Sequence, residues 1–319
     1  VRILVTGGAG FIGSHYVRTL LGPDSPAPGV ELTVLDALTY AGRRANLPAS
    51  GFTFVRGDVC DARLLDELAA GHDHLVHFAA ESHVDRSIED AAAFIRTNVL
   101  GTQTVLDAAL RHGRRVVLVS TDEVYGSVAA GACAEDAPPR PSSPYSASKA
   151  SAELLALAQH RTHGLDVTIT RGTNTYGPHQ YPEKIIPLFT ARLLRGERVP
   201  LYGDGRQVRD WLHVDDHVRA VDLVRREGRS GAVYNVAGGV ELSNRELTGR
   251  LLALLGAGWD RVAYVRDRPG HDLRYAVDDS RIRTELGFRP VIDFTDGLKE
   301  TVEWYARHRD WWETGPEGA

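Results

Sequence analysis

A short apolar run at residues 1–5 breaks at once into Gly7-Gly8-Ala9-Gly10-Phe11-Ile12-Gly13, and a helical pattern over Phe11–Leu21 follows. A strand, a turn too tight for side chains and a helix N-terminus in direct succession leave few folds open. Glycines 7, 10 and 13 let the backbone turn sharply and come close to a pyrophosphate. The helix N-terminus then offers free N–H groups and the positive end of its dipole. A glycine triplet alone could be a structural turn, but this one has the strand before it and the helix after it that the binding motif requires.

The alternation continues. Apolar, β-branched runs at residues 1–5, 31–35, 52–55, 74–78, 116–120 and 166–170 read as buried strands. Helical patterns lie between them, at Phe11–Leu21, 62–69 and 95–112. Such alternation predicts an α/β fold, a Rossmann-type doubly wound parallel sheet with ligands at the carboxyl ends of its strands. After Arg171 the pattern changes. Pro178, Pro182 and Pro187 punctuate a loop-rich stretch before a helix at 188–194, and Gly203-Asp204-Gly205 signals a turn. Val233–Val236 reads as one more strand returning to the first sheet, and residues 244–255 and 297–308 read as helices. The expected division is a cofactor domain of residues 1–173 plus about 211–240, and a smaller mixed α/β substrate domain of about 174–210 plus 241–319. Residues 313–319 are expected to fray.

Asp36 closes the second strand, 23 residues beyond Gly13. A carboxylate there suits the ribose hydroxyls of NAD and repels the extra phosphate of NADP. Asp58, after the third strand, is placed to meet the adenine edge, with a turn-capping role as the plainer reading. Ser143-Pro144 marks a helix start, a hydroxyl cap and then proline at the first position. Tyr145 and Lys149 then fall on one helix face. A nearby ammonium and the positive nicotinamide would both favour a phenolate, making Tyr145 a base near neutral pH. Asp122-Glu123, at the end of the fifth strand, is either a solvated acidic pair or an acid and a base side by side.

Taken together, the glycine loop, the late Tyr-x-x-x-Lys and the second domain resemble the extended short-chain dehydrogenase/reductase family. More narrowly, the chain resembles the dTDP-glucose 4,6-dehydratases. The segments that carry this are Asp36-Ala-Leu-Thr-Tyr-Ala-Gly42, Ala79-Ala-Glu-Ser-His-Val-Asp-Arg-Ser87, Ser120-Thr121-Asp122-Glu123-Val124-Tyr125-Gly126 and Tyr145-Ser-Ala-Ser-Lys149, followed by Asn174-Thr-Tyr-Gly-Pro178, Pro182-Glu-Lys-Ile-Ile-Pro187, Arg209-Asp-Trp211 and Arg268-Pro-Gly-His-Asp272. The resemblance implies an NAD-dependent hydro-lyase. It would oxidise glucose at C4, eliminate water across C5 and C6, and return the hydride to C6. Thr121, Asp122, Glu123, Tyr145 and Lys149 would be catalytic, with Glu123 the base at C5, Asp122 the acid at the C6 hydroxyl and Thr121 beside the C4 oxygen. NAD would meet Gly7, Gly10, Phe11, Ile12, Gly13, Asp36, Leu38, Thr39, Asp58, Val59, Ala79, Ala80, Thr97, Tyr145, Lys149 and Asn174. The nucleotide sugar would meet Ser82, His83, Thr121, Asn174, Lys184, Ile185, Pro200, Tyr202, Arg209, Asn244, Arg268, His271 and Tyr275. Arg209 is the first choice for the diphosphate, since a guanidinium binds phosphate bidentately.

One departure is visible. The family pattern has two adjacent asparagines where this chain has Asn174-Thr175, after an atypical Gly172-Thr173. The runner-up reading is a nucleotide-sugar 4-epimerase or decarboxylase of the same fold, and a third is a non-catalytic NAD-binding sensor. The choice between dTDP and UDP stays open. A homodimer through the helical regions 95–112 and 146–159 is implied by the resemblance.

Composition sets outer bounds. A net charge of −5 weighs against nucleic acid as a partner. Two cysteines, Cys60 and Cys133, give no disulfide framework and fit a reducing cytoplasm. No leader pattern opens the chain and no apolar stretch is long enough to span a membrane, so neither export nor insertion is expected. The histidine groupings 72/74/77 and 160/163 lack ligand spacing, so no metal is expected. Arg43-Arg44, Arg114-Arg115 and Arg225-Arg226 read as solvated surface, and Trp304, Trp311 and Trp312 as packing.

Overall fold

The computed structural model describes residues 1–313, so the expectation for 313–319 lies outside it apart from Glu313. The strands are β1 (Arg2–Thr6), β2 (Glu31–Asp36), β3 (Thr53–Arg56), β4 (His74–His77), β5 (Arg115–Thr121), β6 (Val167–Gly172), β7 (Asn174–Tyr176), β8 (Val199–Tyr202), β9 (Val208–His213), β10 (Val233–Val236), β11 (Glu241–Ser243) and β12 (Val262–Val265). Seven of them form one parallel sheet in the order β3-β2-β1-β4-β5-β6-β10. The winding reverses between β1 and β4, which opens a crevice at their carboxyl ends. The expected return of Val233–Val236 is present, with β10 paired to β6.

Because successive strand residues point to opposite faces, each strand feeds two cores. Ile3, Val5, Val34, Val76 and Val117 pack with the helices Phe11–Leu21 and Val214–Glu227. Leu4, Leu35, Leu75, Val116 and Leu118 pack on the other side, with the helices Thr102–His112 and Pro144–His163. A third core gathers Tyr176, Phe189, Leu201, Trp211, Leu247 and Phe294 around two small sheets, β11-β9-β7 and β12-β8. The helix Ser280–Glu285 reaches back to the first core through Ile282 and Phe288.

Several expectations need correction. The helix expected over 95–112 is divided: Ala91–Phe94, a π-helical turn Ile95–Gly101, then Thr102–His112. The wider turn carries Asn98, whose Nδ2 donates to the Glu81 carbonyl and to Ser148 Oγ. The helix expected from 188 begins at Ile185; Pro187 is tolerated because it lies in the first turn, where its missing N–H has no helical acceptor. The helix Val214–Glu227 escaped notice because its buried face carries charge, including Asp216, Asp222 and Arg225. Arg225 donates from Nε to Asp222 Oδ1 (2.9 Å) and to Tyr16 Oη (3.1 Å), both buried. Arg225 and Arg43 are therefore interior residues rather than solvated surface, and Arg115 is ion-paired to Asp166 with its side chain 16% exposed. Among the described residues no helix is long and apolar enough to cross a membrane.

Candidate active site

The glycine loop is constrained from every side. Gly7 has φ +70°, and a Cβ there would lie 2.4 Å from the Ala79 nitrogen. A Cβ on Gly13 would lie 2.3 Å from the Gly7 carbonyl oxygen. No side chain caps the helix at Gly10, so its N–H groups face the crevice. Asp36 is nearly buried. It accepts the Ala9 N–H on Oδ2 and the Leu38 N–H on Oδ1, each at 2.8 Å. Asp58 fulfils the turn-capping reading, accepting the Cys60 N–H at 2.8 Å, and it also lines the crevice.

One cleft runs from this loop, past the end of β5, to Tyr202 and His271. All the sequence-derived cofactor, catalytic and substrate residues line it except Leu38. Leu38 has φ +52° and packs its side chain against the first core, leaving its N–H to hold Asp36. What the structure shows of Leu38 is the N–H that holds Asp36. The residues that suit a dinucleotide are those with an open backbone cradle and a free polar atom: Gly7, Gly10 and Gly13, the Asp36 carboxylate, and Asn174, whose buried Oδ1 has no protein partner.

The 3-10 turn Asp122–Tyr125 begins where β5 stops, capped by Thr121, whose Oγ1 accepts the Glu123 N–H at 3.2 Å. Behind it, Arg171 donates to Tyr125 Oη at 2.6 Å and is ion-paired to buried Glu153 at the same distance, so the turn is braced from the interior. The two carboxyl groups differ. Burial, and then the charge of Glu123, push Asp122 well above the usual carboxylate range, and its Oδ2 has no hydrogen-bond partner among the described residues. Glu123 is raised by burial, but Lys184, Arg209 and Arg268 oppose that rise. Burial thus raises both carboxyls, Asp122 the further, while three cations favour the charged form of Glu123.

Ser143 and Ser146 form the capping box that starts the helix Pro144–His163, which points Tyr145 and Lys149 into the cleft. The expected lowering of Tyr145 by Lys149 needs correction. Lys149 Nζ donates to the Val119 carbonyl at 2.8 Å, and burial lowers its own pKa to about 8. Burial and the Glu123 carboxylate push the Tyr145 phenol up, and a hydrogen bond with Thr121 opposes them.

The far lip is cationic and already paired. Lys184 donates to the Ser82 carbonyl at 2.6 Å, and Arg268 NH2 to Asp85 Oδ2 at 2.9 Å. Arg209 donates to the carbonyls of Val208 and Asp272, with its guanidinium 4.1 Å from the centre of the Tyr275 ring. His271 Nδ1 meets Asp267 Oδ1 at 2.7 Å. Sequence reasoning missed Tyr40, Glu81, Tyr181, Glu183 and Asp85, which also line the cleft. Tyr40 donates to Glu183 at 3.1 Å and lies 3.7 Å under the Arg86 guanidinium. The family segments around 36–42, 79–87 and 182–187 had already drawn attention to these stretches. Thr175, at the atypical position, hydrogen-bonds His217 Nδ1 at 2.8 Å, and a Cβ on Gly172 would lie 2.6 Å from that ring. Gly172 thus leaves the space that the ring occupies.

Comparison with known proteins adds a second line. Residues 4–301 match the family model described as GDP-mannose 4,6 dehydratase. A dTDP-glucose 4,6-dehydratase from Streptomyces griseus is 62% identical over 98% of this chain and 96% of its own length. The crystal structure of DesIV, a dTDP-glucose 4,6-dehydratase from Streptomyces venezuelae with NAD and TYD bound, superposes with a TM-score of 0.97 at 58% identity, covering 98% of this chain and 99% of that one. A UDP-glucose 4-epimerase from Thermotoga maritima has nearly the same fold, TM-score 0.89, but only 32% identity, over 96% of this chain and 99% of that chain.

Proposed function

Because the chain belongs to the GDP-mannose 4,6 dehydratase family, and is similar to dTDP-glucose 4,6-dehydratases over almost its whole length, we propose that it converts dTDP-glucose to dTDP-4-keto-6-deoxyglucose. The observation that carries this is the unequal pair at the end of β5. An epimerase needs one hydroxyl oxidised and one ketone reduced. An elimination also needs a base for a carbon-bound proton and an acid for a departing hydroxyl, and Asp122 and Glu123 fit that division.

NAD supplies the oxidant at C4 and the hydride returned at C6. Gly7, Gly10 and Gly13 cradle its pyrophosphate and Asp36 its ribose. Tyr145, as the phenolate that the positive nicotinamide would favour, takes the C4 hydroxyl proton, with Lys149 holding the ribose beside it. Once C4 is a ketone, the C5 proton is acidic, and Glu123 removes it, giving a proton back to C5 when the hydride arrives at C6. Asp122 delivers its proton to the C6 hydroxyl, which leaves as water. Thr121, linked to Tyr145, steadies the negative charge on the C4 oxygen. Arg209, Lys184 and Arg268 exchange their present partners for the diphosphate oxygens, and Pro200 and Tyr202 flank the base. The separate cores support a cofactor lobe of residues 1–173 plus about 211–240 and a nucleotide-sugar lobe over about 174–210 and from 241 onward, except that Ile282 and Phe288 pack in the cofactor core. The exposed apolar residues Ile95, Leu100 and Leu154 support a homodimer through those helices, and the cysteine usage supports a cytoplasmic location.

Incubation with dTDP-glucose followed by mass analysis tests the reading. Loss of one water is expected, and a product of unchanged mass would replace it with epimerisation.

A further inference from the structure

Trp311 and Trp312 are neighbours in the short helix Arg309–Glu313 and both pack around Tyr305, yet their indole N–H groups go to different lobes. Trp312 is buried with Tyr305 and Ala191 on the substrate side, where its Nε1 donates to the Tyr305 carbonyl at 2.8 Å. Trp311 turns to the cofactor side. Its Nε1 donates to Asn46 Oδ1 at 2.9 Å, and its ring lies 5.1 Å from the Arg43 guanidinium.

Asn46 is 1% exposed, and both ends of its amide are engaged. With Oδ1 committed to the indole, Nδ2 faces the other way and donates to the Ala9 carbonyl at 2.8 Å. The indole donor thereby fixes which way round the amide lies, since only an oxygen accepts from it. The Arg43 N–H donates to the same Ala9 oxygen at 3.0 Å. Ala9 belongs to the glycine loop, and its own N–H is held by Asp36. The Ala9 residue is therefore pinned at both its nitrogen and its carbonyl, one by the ribose-side carboxylate and the other by the C-terminal helix acting through Asn46.

We propose that Trp311 and Asn46 are positioning residues for the bound dinucleotide: the C-terminal helix straps down the Asn46 amide, which fixes the Ala9 carbonyl and so the loop that receives the pyrophosphate. This rests on reading the glycine loop as an NAD site. The chemistry gives the strap a purpose. The hydride taken at C4 must be returned at C6, so one cofactor molecule has to stay in place throughout a turnover.

Calorimetric titration of the full-length protein with NAD provides the test, using the wild type, Trp311→Phe, Asn46→Asp and Trp312→Phe. Trp311→Phe keeps a ring beside Arg43 but removes the donor, so NAD binding should weaken about fivefold, the scale of one neutral hydrogen bond. Asn46→Asp still accepts from the indole but loses the donor to Ala9 and adds a charge, and should weaken binding by about tenfold or more. In both variants kcat at saturating NAD should stay near the wild-type value. Trp312→Phe should leave NAD affinity unchanged, whatever it does to the melting temperature. The proposal is overturned if Trp311→Phe and Asn46→Asp bind NAD as the wild type does, or if Trp312→Phe weakens binding as much as Trp311→Phe. A wild type that binds no NAD would instead sink the cofactor reading itself.

Discussion

The two lips of the cleft hold their side chains by different means. On the cofactor lip, position comes from the backbone: Asp36 is clamped by two N–H groups, and Gly7 and Gly13 sit where a Cβ would strike main-chain atoms. On the substrate lip, position comes from pairing. Arg268 rests on Asp85, His271 on Asp267, and Lys184 on a carbonyl. The first arrangement is ready for its ligand, whereas the second must trade existing partners for the ligand's oxygens, which reduces the net gain on binding. The catalytic turn lies between and depends on both. Asp122 owes its raised pKa to burial at the sheet's end, and the rise that burial gives Glu123 is opposed by cations of the far lip.

The deepest cut through this contrast is Glu123→Gln. It leaves the cofactor lip and Tyr145 intact but removes the base that the far cations serve. Turnover should fall by roughly 10²–10⁴, and the near-ultraviolet absorbance of reduced cofactor should build up on the enzyme, since C4 oxidation still proceeds. Tyr145→Phe should be slow without that signal. Undiminished turnover in Glu123→Gln would break the assignment of base and acid.

The same contrast explains what was legible in the sequence. The glycine loop, Asp36, the Ser143-Pro144 helix start and the end of β5 depend on local rules, so their residues could be read off in order. Asp85 and Asp267 could not. Each matters because of a partner side chain, Arg268 for Asp85 and His271 for Asp267, and an acidic residue on a short helix or loop carries no mark of such a partner. The helix Val214–Glu227 was hidden for a related reason. Arg225 and Asp222 look like surface residues in the sequence, and their burial is made tolerable by each other, by the Tyr16 hydroxyl and by His74 and Arg226. The hold of Leu38 on Asp36 was illegible because it uses the N–H, which every residue but proline has.

Asp122 gives the second test, by pH. Its raised pKa means that the folded chain binds this proton more tightly than the unfolded chain does. The group therefore costs no stability below the unfolded value of about 3.9, and its cost grows as pH rises above that toward the folded pKa. Asp122→Asn removes the charge at similar volume. It should slow dehydration, yet raise the melting temperature by roughly 2 °C or more at pH 8, with no gain at pH 4. An equal gain at both pH values would mean that the benefit comes from packing and not from the proton.

The smallest effect should come from Asp85, and it bears on the exchange of partners itself. Asp85 holds the Arg268 guanidinium through two hydrogen bonds, and Tyr202 donates to the same carboxylate at 3.3 Å. The pair is partly exposed, so solvent screens it and its net strength is modest. If Asp85 competes with the diphosphate for Arg268, then Asp85→Asn should lower KM for the sugar nucleotide by about two- to threefold, the scale of a screened ion pair, with kcat unchanged. If Asp85 instead aims Arg268 at the ligand, the same substitution should raise KM. Steady-state kinetics at two salt concentrations distinguishes the cases: a competing carboxylate loses its influence as salt rises, so the wild type and Asp85→Asn should converge. A KM that rises in the variant would make the substrate lip as preorganised as the cofactor lip, and the contrast between them would then rest on the kind of atom that holds each group and no longer on readiness.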